Sequence, residues 1–164
     1  MTTSANVMPH SSPSPVVAGF ELGGTKTVVA IGTGPDNFAK SPAFPTGMDP
    51  HELLAAAVEW LCGQVGHAGT PEAIGVGSFG PINLNPRSPH YGIVGPTTKR
   101  GWTGADVLTQ IRKAFPDARL ALDTDVNVAA LGEHRYGAGV GCRNLVYVTI
   151  GTGIGAGFLV DGKL

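Results

Sequence analysis

Two carboxylates, Asp123 and Asp125, stand where an apolar stretch of the sequence gives way to a helical pattern. In an α/β sheet, side chains that follow the carboxyl end of a strand lie beside the crevice where ligands bind. A carboxylate placed there can accept a proton from a bound hydroxyl group. The alternative role is structural, because Asp is also a favoured N-cap residue of helices.

Two segments rich in glycine and threonine are candidates for binding phosphate. The first is GGTK (23–26) and the second is GTGIGAG (151–157). Glycine lets backbone N–H groups approach an anion closely, threonine adds a hydroxyl donor and lysine adds charge. Either segment could instead be a hairpin turn that needs glycine for positive φ, but four glycines in seven residues exceed that need. The predicted phosphate contacts are Gly23, Gly24, Thr25, Lys26, Gly151, Thr152 and Gly153.

Other binding motifs are incomplete. The segment GVGSFG (75–80) fits the GxGxxG pattern, but Pro81 stands where a helix should begin and the next acidic residue is Asp106. Both features disfavour a dinucleotide site. The sequence contains no GxxxxGK[ST] motif for a P-loop. Its five His and two Cys residues show no metal-ligand spacing.

Charge and hydropathy exclude further classes of protein. The chain has 164 residues and a net charge of −1, with 14% charged residues, against about 25% in an average protein. Nucleic-acid binders carry a basic patch or a high pI, which a near-neutral chain does not indicate. A membrane span needs about 20 consecutive apolar residues, and the sequence has no such run. Residues 1–25 lack Lys, Arg and a long apolar run, so no targeting segment is predicted. We therefore expect a cytoplasmic protein that binds neither nucleic acid nor a membrane.

Strand and helix patterns alternate, which predicts an α/β fold with a mixed sheet. The predicted strands are a hairpin at 16–34, then 37–44, 73–79 and 119–122, and a second hairpin at 144–160. The predicted helices begin at Asp49, at Thr103 and near Asp125, and end at Gly63–Gly66, Pro116 and Tyr136. A long loop, 80–101, is of the length that is often functional.

The unit of strand, Gly/Thr turn and strand occurs twice, which predicts two lobes that share a cleft. Residues 1–15 hold nine Ser, Thr or Pro and are predicted to be a disordered leader. We expect the first lobe over 16–141 and the start of a second, incomplete lobe over 142–164.

In these motifs the chain resembles the ROK family (repressor, open reading frame, kinase) of sugar kinases, and within it the bacterial fructokinase branch. The resemblance covers about residues 16–164. Four segments in family order carry it. They are ELGGTK (21–26), GVGSFGPINLNPRSPHYG (75–92) with KRGW (99–102), LDTDVNVAALGEHRYGAG (122–139) and VTIGTGIGAGFLVDGKL (148–164).

The resemblance implies an actin-like, ribonuclease-H-like fold in which ATP and a sugar meet in the cleft between lobes. Asp125 would be the general base that takes the proton from the sugar hydroxyl. The reaction would convert D-fructose to fructose 6-phosphate. Glu21 would hold Mg²⁺, directly or through water, where many members have Asp. The implied sugar contacts and supports are Gly80, Thr98, Trp102, Asp123 and Asn127. Trp102 could equally belong to the core.

Specificity and completeness are also expectations from the family. Thr98 and Thr124 replace Asn residues of the glucokinase branch, which argues against glucose, while mannose stays open. Family members continue with a zinc site, further sugar contacts and an adenosine pocket. We therefore expect a truncated chain with little activity alone, and a homodimer only in a full-length form. The alternatives are an inactive or weakly sugar-binding fragment and a transcriptional regulator, although residues 1–15 are too short for a DNA-binding domain.

Overall fold

The computed structural model describes residues 14–47, 49–151 and 153–164. Most of the predicted leader and Thr152 therefore lie outside the described residues. The predicted α/β class is confirmed. No helix in the described ranges is both long and apolar enough to cross a membrane.

The main sheet is mixed and is built largely from the predicted strands. The strand bounds are β1 Val17–Leu22, β2 Lys26–Gly34, β3 Asn37–Lys40, β4 Phe44–Pro45, β5 Ala73–Ser78 and β6 Arg119–Thr124. The order in the sheet is β3, β2, β1, β5 and β6, and β4 pairs with β2. Strands β1, β5 and β6 are parallel, whereas β2 runs antiparallel to β1.

Three helices and a second sheet complete the described fold. Helix α1 spans Pro50–Ala68, α2 spans Thr109–Ala114 and α3 spans Asp125–Tyr136. Strands β7 (Leu145–Ile150) and β8 (Ile154–Leu159) form a separate antiparallel hairpin. The core lies on the face of the main sheet that carries Phe20, Leu22 and Val76, where α1, α2 and the long loop cover it.

Helix α1 begins as predicted but ends later. The Asp49 carboxylate accepts the N–H groups of His51 at 2.8 Å and Glu52 at 3.3 Å, which satisfies donors that the first turn leaves unpaired. The expected end at Gly63–Gly66 is wrong. A glycine within a helix costs about 1 kcal/mol, but Val65 and Ala68 pack against the core and hold the last turns in place. The helix ends at Ala68, and its C-cap is Gly69, where φ is 94°.

Helix α2 is shorter than predicted, and Thr103 does not cap it. The Thr103 hydroxyl accepts the Thr97 N–H at 3.2 Å within the loop. Instead, one oxygen of Asp106 accepts the N–H groups of Leu108 at 2.8 Å and Thr109 at 3.0 Å. The long loop continues to residue 108 instead of ending at 101. Tight turns and isolated bridges, such as that between Ile93 and Asp106, occupy the residues predicted to form the first helical turn.

Helix α3 lies against both sheets, contacting β5 and β6 on one side and β7 and β8 on the other. A Cβ on Gly157 would strike the Val126 carbonyl oxygen, and one on Gly155 would lie 3.0 Å from the Val126 side chain. These two glycines therefore allow the helix to pack on β8. Half of the glycines in the segment GTGIGAG serve packing, which corrects the argument that their number indicates phosphate binding.

Candidate active site

The candidate site lies at the carboxyl ends of the three parallel strands. Leu22, Ser78 and Thr124 are paired in register across β1, β5 and β6, so the residues that follow them emerge at one edge of the sheet. These are the first Gly/Thr turn, the segment beginning at Phe79 and Asp125. This is the edge at which open α/β sheets bind ligands.

A cleft of about 720 Å³ opens at this edge, with the β7–β8 turn on its other side. It brings together seven of the residues that sequence reasoning selected. They are Gly24, Thr25, Gly80, Thr98, Asp125, Gly151 and Gly153. The two Gly/Thr turns, far apart in sequence, thus face one another across a single cavity.

Asp125 is the first residue of α3, and its carboxylate is not the N-cap. The cap is Thr124, whose hydroxyl accepts the Asn127 N–H at 3.3 Å. One oxygen of Asp125 accepts the Val126 N–H at 2.9 Å. The capping alternative therefore does not apply to Asp125, which leaves its carboxylate to line the cleft.

Asp123 and Asn127 form a supporting pair beneath Asp125. The Asn127 side-chain amide donates to Asp123 Oδ1 at 2.7 Å, and the same oxygen accepts the Thr124 N–H at 2.7 Å. Neither side chain lines the cleft. The pair ties the end of β6 to the first turn of α3, which fixes the point at which Asp125 emerges.

Gly77 lets α3 approach the sheet closely enough to place Asp125. Glu21, Gly77 and Asp123 are paired in one row across the strands. A Cβ on Gly77 would lie 3.2 Å from the Val128 side chain and 3.5 Å from the Asp125 Cα. The absence of a side chain in the middle of this row therefore allows the helix to begin directly over the sheet.

Trp102 is buried rather than exposed to the cleft, which departs from its predicted contact with sugar. Its side chain is 1% exposed, and its ring meets that of Phe79 edge-on at a centroid distance of 4.9 Å. The indole N–H donates to the Thr46 carbonyl at 3.0 Å. Trp102 thus belongs to the core and supports Phe79, which does line the cleft.

Thr46 links Trp102 to the first Gly/Thr turn. This fully buried residue donates its hydroxyl to the Gly23 carbonyl at 2.9 Å and its N–H to the Thr25 carbonyl at 2.9 Å. Gly23 and Lys26 close the turn through a 3.0 Å backbone bond and, like Glu21, do not line the cleft. Sequence reasoning missed Thr46, because its contacts are with residues distant in the chain.

Lys99 is the second residue that sequence reasoning missed. Among the described residues that line the cleft, Lys99 and Asp125 carry the only ionisable side chains. The Lys99 ammonium donates to the Gly24 carbonyl and lies 5.3 Å from the centroid of the Phe79 ring. Lys99 is the first residue of the KRGW segment (99–102), and this position in a family motif could have indicated a functional role.

Comparisons with known proteins identify relatives of this chain. Residues 17–164 match the ROK family. The chain is 39% identical to a fructokinase of Zymomonas mobilis over 145 residues, 88% of this chain and 48% of that protein. It thus spans about half the length of the curated relatives it matches.

Solved structures show the same similarity. The ROK hexokinase of Thermus thermophilus superimposes with a TM-score of 0.72 at 30% identity, over 90% of this chain and 48% of that one. A ROK glucokinase of Streptomyces griseus, solved with glucose and AMPPNP, gives 0.65 at 26% identity, over 91% and 46%. The actin-like, ribonuclease-H-like fold is confirmed, and the chain belongs to the ROK family.

Proposed function

We propose that this chain supplies the sugar-binding cleft and the general base of an ATP-dependent hexose kinase. The acceptor is D-fructose and the product is fructose 6-phosphate. One observation carries the proposal: Asp125 opens into the same cleft as both Gly/Thr turns. The proposal therefore places a proton acceptor between two backbone segments suited to phosphate.

The Asp125 carboxylate takes the proton of the acceptor hydroxyl. The hydroxyl oxygen then forms a bond to the γ-phosphorus of ATP, and the bond from that phosphorus to the bridging oxygen of ADP breaks. Phosphoryl transfer depends mainly on positioning and on neutralisation of charge, and a general base contributes roughly 10² to 10⁴ in rate. The Asp123–Asn127 pair keeps Asp125 aimed at the acceptor.

The two turns hold the phosphate chain of ATP from opposite sides. Gly24 and Thr25 contribute from the end of β1, and Gly151 and Gly153 from the hairpin. Backbone N–H groups that point into one concavity bind anions well. Thr152 remains a predicted contact in the second turn.

Mg²⁺ fits this set of residues in the manner usual for kinases. Within the described ranges, no three His, Cys, Asp or Glu residues converge as a metal cluster. Mg²⁺ in such sites takes one or two carboxylates and otherwise waters and substrate phosphates. Glu21, near the end of β1, does not line the cleft, so it would hold the ion through water, and the ion would neutralise phosphate charge.

Fructose is proposed over glucose on two grounds. Thr98 lines the cleft where the glucokinase branch is expected to place Asn, and the Zymomonas relative is named a fructokinase. The proposed setting is the cytoplasm, where ATP is available. We also propose that residues 16–141 form one lobe and 142–164 begin another, which the separate β7–β8 sheet supports.

A chimera tests the proposed function, with residues 16–164 in place of the matching half of the Zymomonas fructokinase. Coupled detection of ADP is expected to show turnover with fructose that exceeds turnover with glucose and mannose. A folded chimera that releases ADP with none of these sugars would contradict the kinase function. Preference for glucose would contradict the choice of acceptor only.

A further inference from the structure

We propose that the Lys99 ammonium binds the phosphoryl group during its transfer to the sugar. This role rests on the proposed kinase function and makes Lys99 a catalytic residue. It deepens that function by assigning the cation that faces the reacting phosphorus.

The ammonium lies between the two parts of the site that must meet. It donates to the carbonyl of Gly24 in the first Gly/Thr turn, and its side chain lines the same cleft as Gly80 and Asp125. An ammonium carries three N–H donors, and the bond to Gly24 uses one. The same group can therefore also donate to phosphoryl oxygens held beside that turn.

The backbone around Lys99 is fixed by hydrogen bonds at both ends of a tight turn. The Lys99 N–H donates to the Thr97 hydroxyl at 3.3 Å, and the Lys99 carbonyl accepts the Trp102 N–H at 3.2 Å. Trp102 is buried and bonded to Thr46, which also holds the first Gly/Thr turn. One network therefore positions both the lysine and the phosphate-binding turn.

The ring of Phe79 guides the side chain toward the cleft. The ammonium nitrogen lies 5.3 Å from the ring centroid, within the range of a cation–π interaction. The Trp102 ring packs edge-on against the same Phe79 ring. The ammonium thus lies over an aromatic ring that lines the same cleft.

Charge favours a phosphoryl ligand over a sugar hydroxyl. Of the described residues that line the cleft, only Lys99 is cationic. Hydrogen bonds between an ammonium and a phosphate oxygen are roughly twice as strong as those between neutral groups. The phosphoryl group must also approach the Asp125 carboxylate, which is an anion until it accepts the proton, so the phosphoryl charge needs to be offset. Binding of neutral sugar hydroxyls by Lys99 is the alternative that the test separates.

The test compares three probes, pyrophosphate, fructose 6-phosphate and fructose, titrated into the 164-residue chain and followed by NMR amide shifts. Lys99→Met removes the charge and keeps the apolar stem, and Lys99→Gln is a second variant should the first fail to fold. Lys40→Met is the matched control, because it removes an exposed lysine of β3. We expect both Lys99 variants to weaken the two phosphate probes at least tenfold, with fructose affinity changed less than twofold.

Three outcomes would overturn the role of Lys99. They are no binding of either phosphate probe by the wild-type chain, an effect no larger than that of Lys40→Met, and a loss confined to fructose. Failure of the proposed function gives a different pattern. In that case pyrophosphate binding depends on Lys99 while fructose does not bind. That result retains the cation site and rejects the hexose acceptor.

Discussion

At the scale of single residues, the site depends on short polar contacts at the start of α3. Thr124 caps the helix, Asp123 and Asn127 bind one another, and Asp125 faces the cleft. The four residues thus have three tasks, although the sequence presents them as one polar cluster. We therefore expect replacements of these residues to have different consequences.

The Asn127→Ala variant should lose stability because Asp123 loses a partner. Hydrogen bonds to charged groups contribute about 1.5 to 3 kcal/mol, and this one is partly exposed to solvent. We expect the free energy of unfolding to fall by about 1 to 2 kcal/mol in urea denaturation. Asn37→Ala, which removes an exposed bond to Thr33, is the control and should cost less than about 0.5 kcal/mol. Equal losses in the two variants would contradict the role of the pair.

At the scale of elements, the packing of α3 on the sheet sets the position of the base. Gly77 is buried beneath Val128, whereas Gly75, two residues earlier on the same face of β5, would place a Cβ in open space. This pair of glycines therefore separates the effect of close packing from the effect of glycine itself.

Gly77→Val is expected to lower stability by about 1 to 3 kcal/mol, because a larger side chain would displace α3. Gly75→Val should be neutral or stabilising, since Val suits a strand and meets nothing there. Thermal unfolding of the two variants measures the difference. A Gly75→Val variant that is as unstable as Gly77→Val would show that the spacing of α3 is not the cause.

Asp106 should stabilise the start of α2 in a pH-dependent manner. Burial alone raises the pKa of Asp106, but bonds from the Thr109 hydroxyl and from the N–H groups of Leu108 and Thr109, with the charge of Arg112, bring the net pKa below its ordinary value. The stabilisation is therefore present above the ordinary Asp pKa of about 4 and is lost as the pH falls through the lowered value.

Asp106→Ala should reduce the free energy of unfolding at pH 7 by about 1 to 2 kcal/mol. This loss should shrink as the pH falls below about 4. Asp106→Asn keeps a side-chain oxygen that can accept the N–H groups of Leu108 and Thr109 and should lose less at pH 7. Urea unfolding across this pH range gives both quantities, and a loss in Asp106→Ala that does not depend on pH would reject the assigned charge.

Several elements could be predicted from local patterns, and the failures share a cause. Capping residues and alternating apolar residues, close together in sequence, predict the start of α1, the hairpins and the junction at Asp125. The end of α1, the late start of α2 and the burial of Trp102 depend on packing between distant segments. Lys99 and Thr46 were missed for the same reason, because Gly24 and Trp102 become their neighbours only in the folded chain.

At the scale of the whole molecule, the β7–β8 hairpin has two different faces. Leu159 is 1% exposed against α3, while its neighbour Phe158 is 57% exposed on the opposite face. The chain spans about half the length of the Zymomonas relative. Within the described residues, α3 alone connects the hairpin to the main sheet through extensive contacts.

Replacement of Leu159 should therefore test how the hairpin is held. Leu159→Ala is expected to cost about 2 to 5 kcal/mol, as for other buried leucines, and to release the hairpin. Phe158→Ala should cost less than about 0.5 kcal/mol. Hydrogen exchange at the β7 and β8 amides reports the outcome. Equal protection in both variants would contradict the assigned packing.

The most direct test of the central claim is the turnover number of the Asp125→Asn chimera with fructose and ATP. Asn has nearly the shape of Asp but cannot accept the proton, so we expect kcat to fall by roughly 10² to 10⁴ while KM for fructose changes only a few fold. Asp36→Asn, an exposed residue in the turn between β2 and β3, should leave kcat unchanged. A kcat for Asp125→Asn equal to that of Asp36→Asn would contradict the assignment of Asp125 as the base.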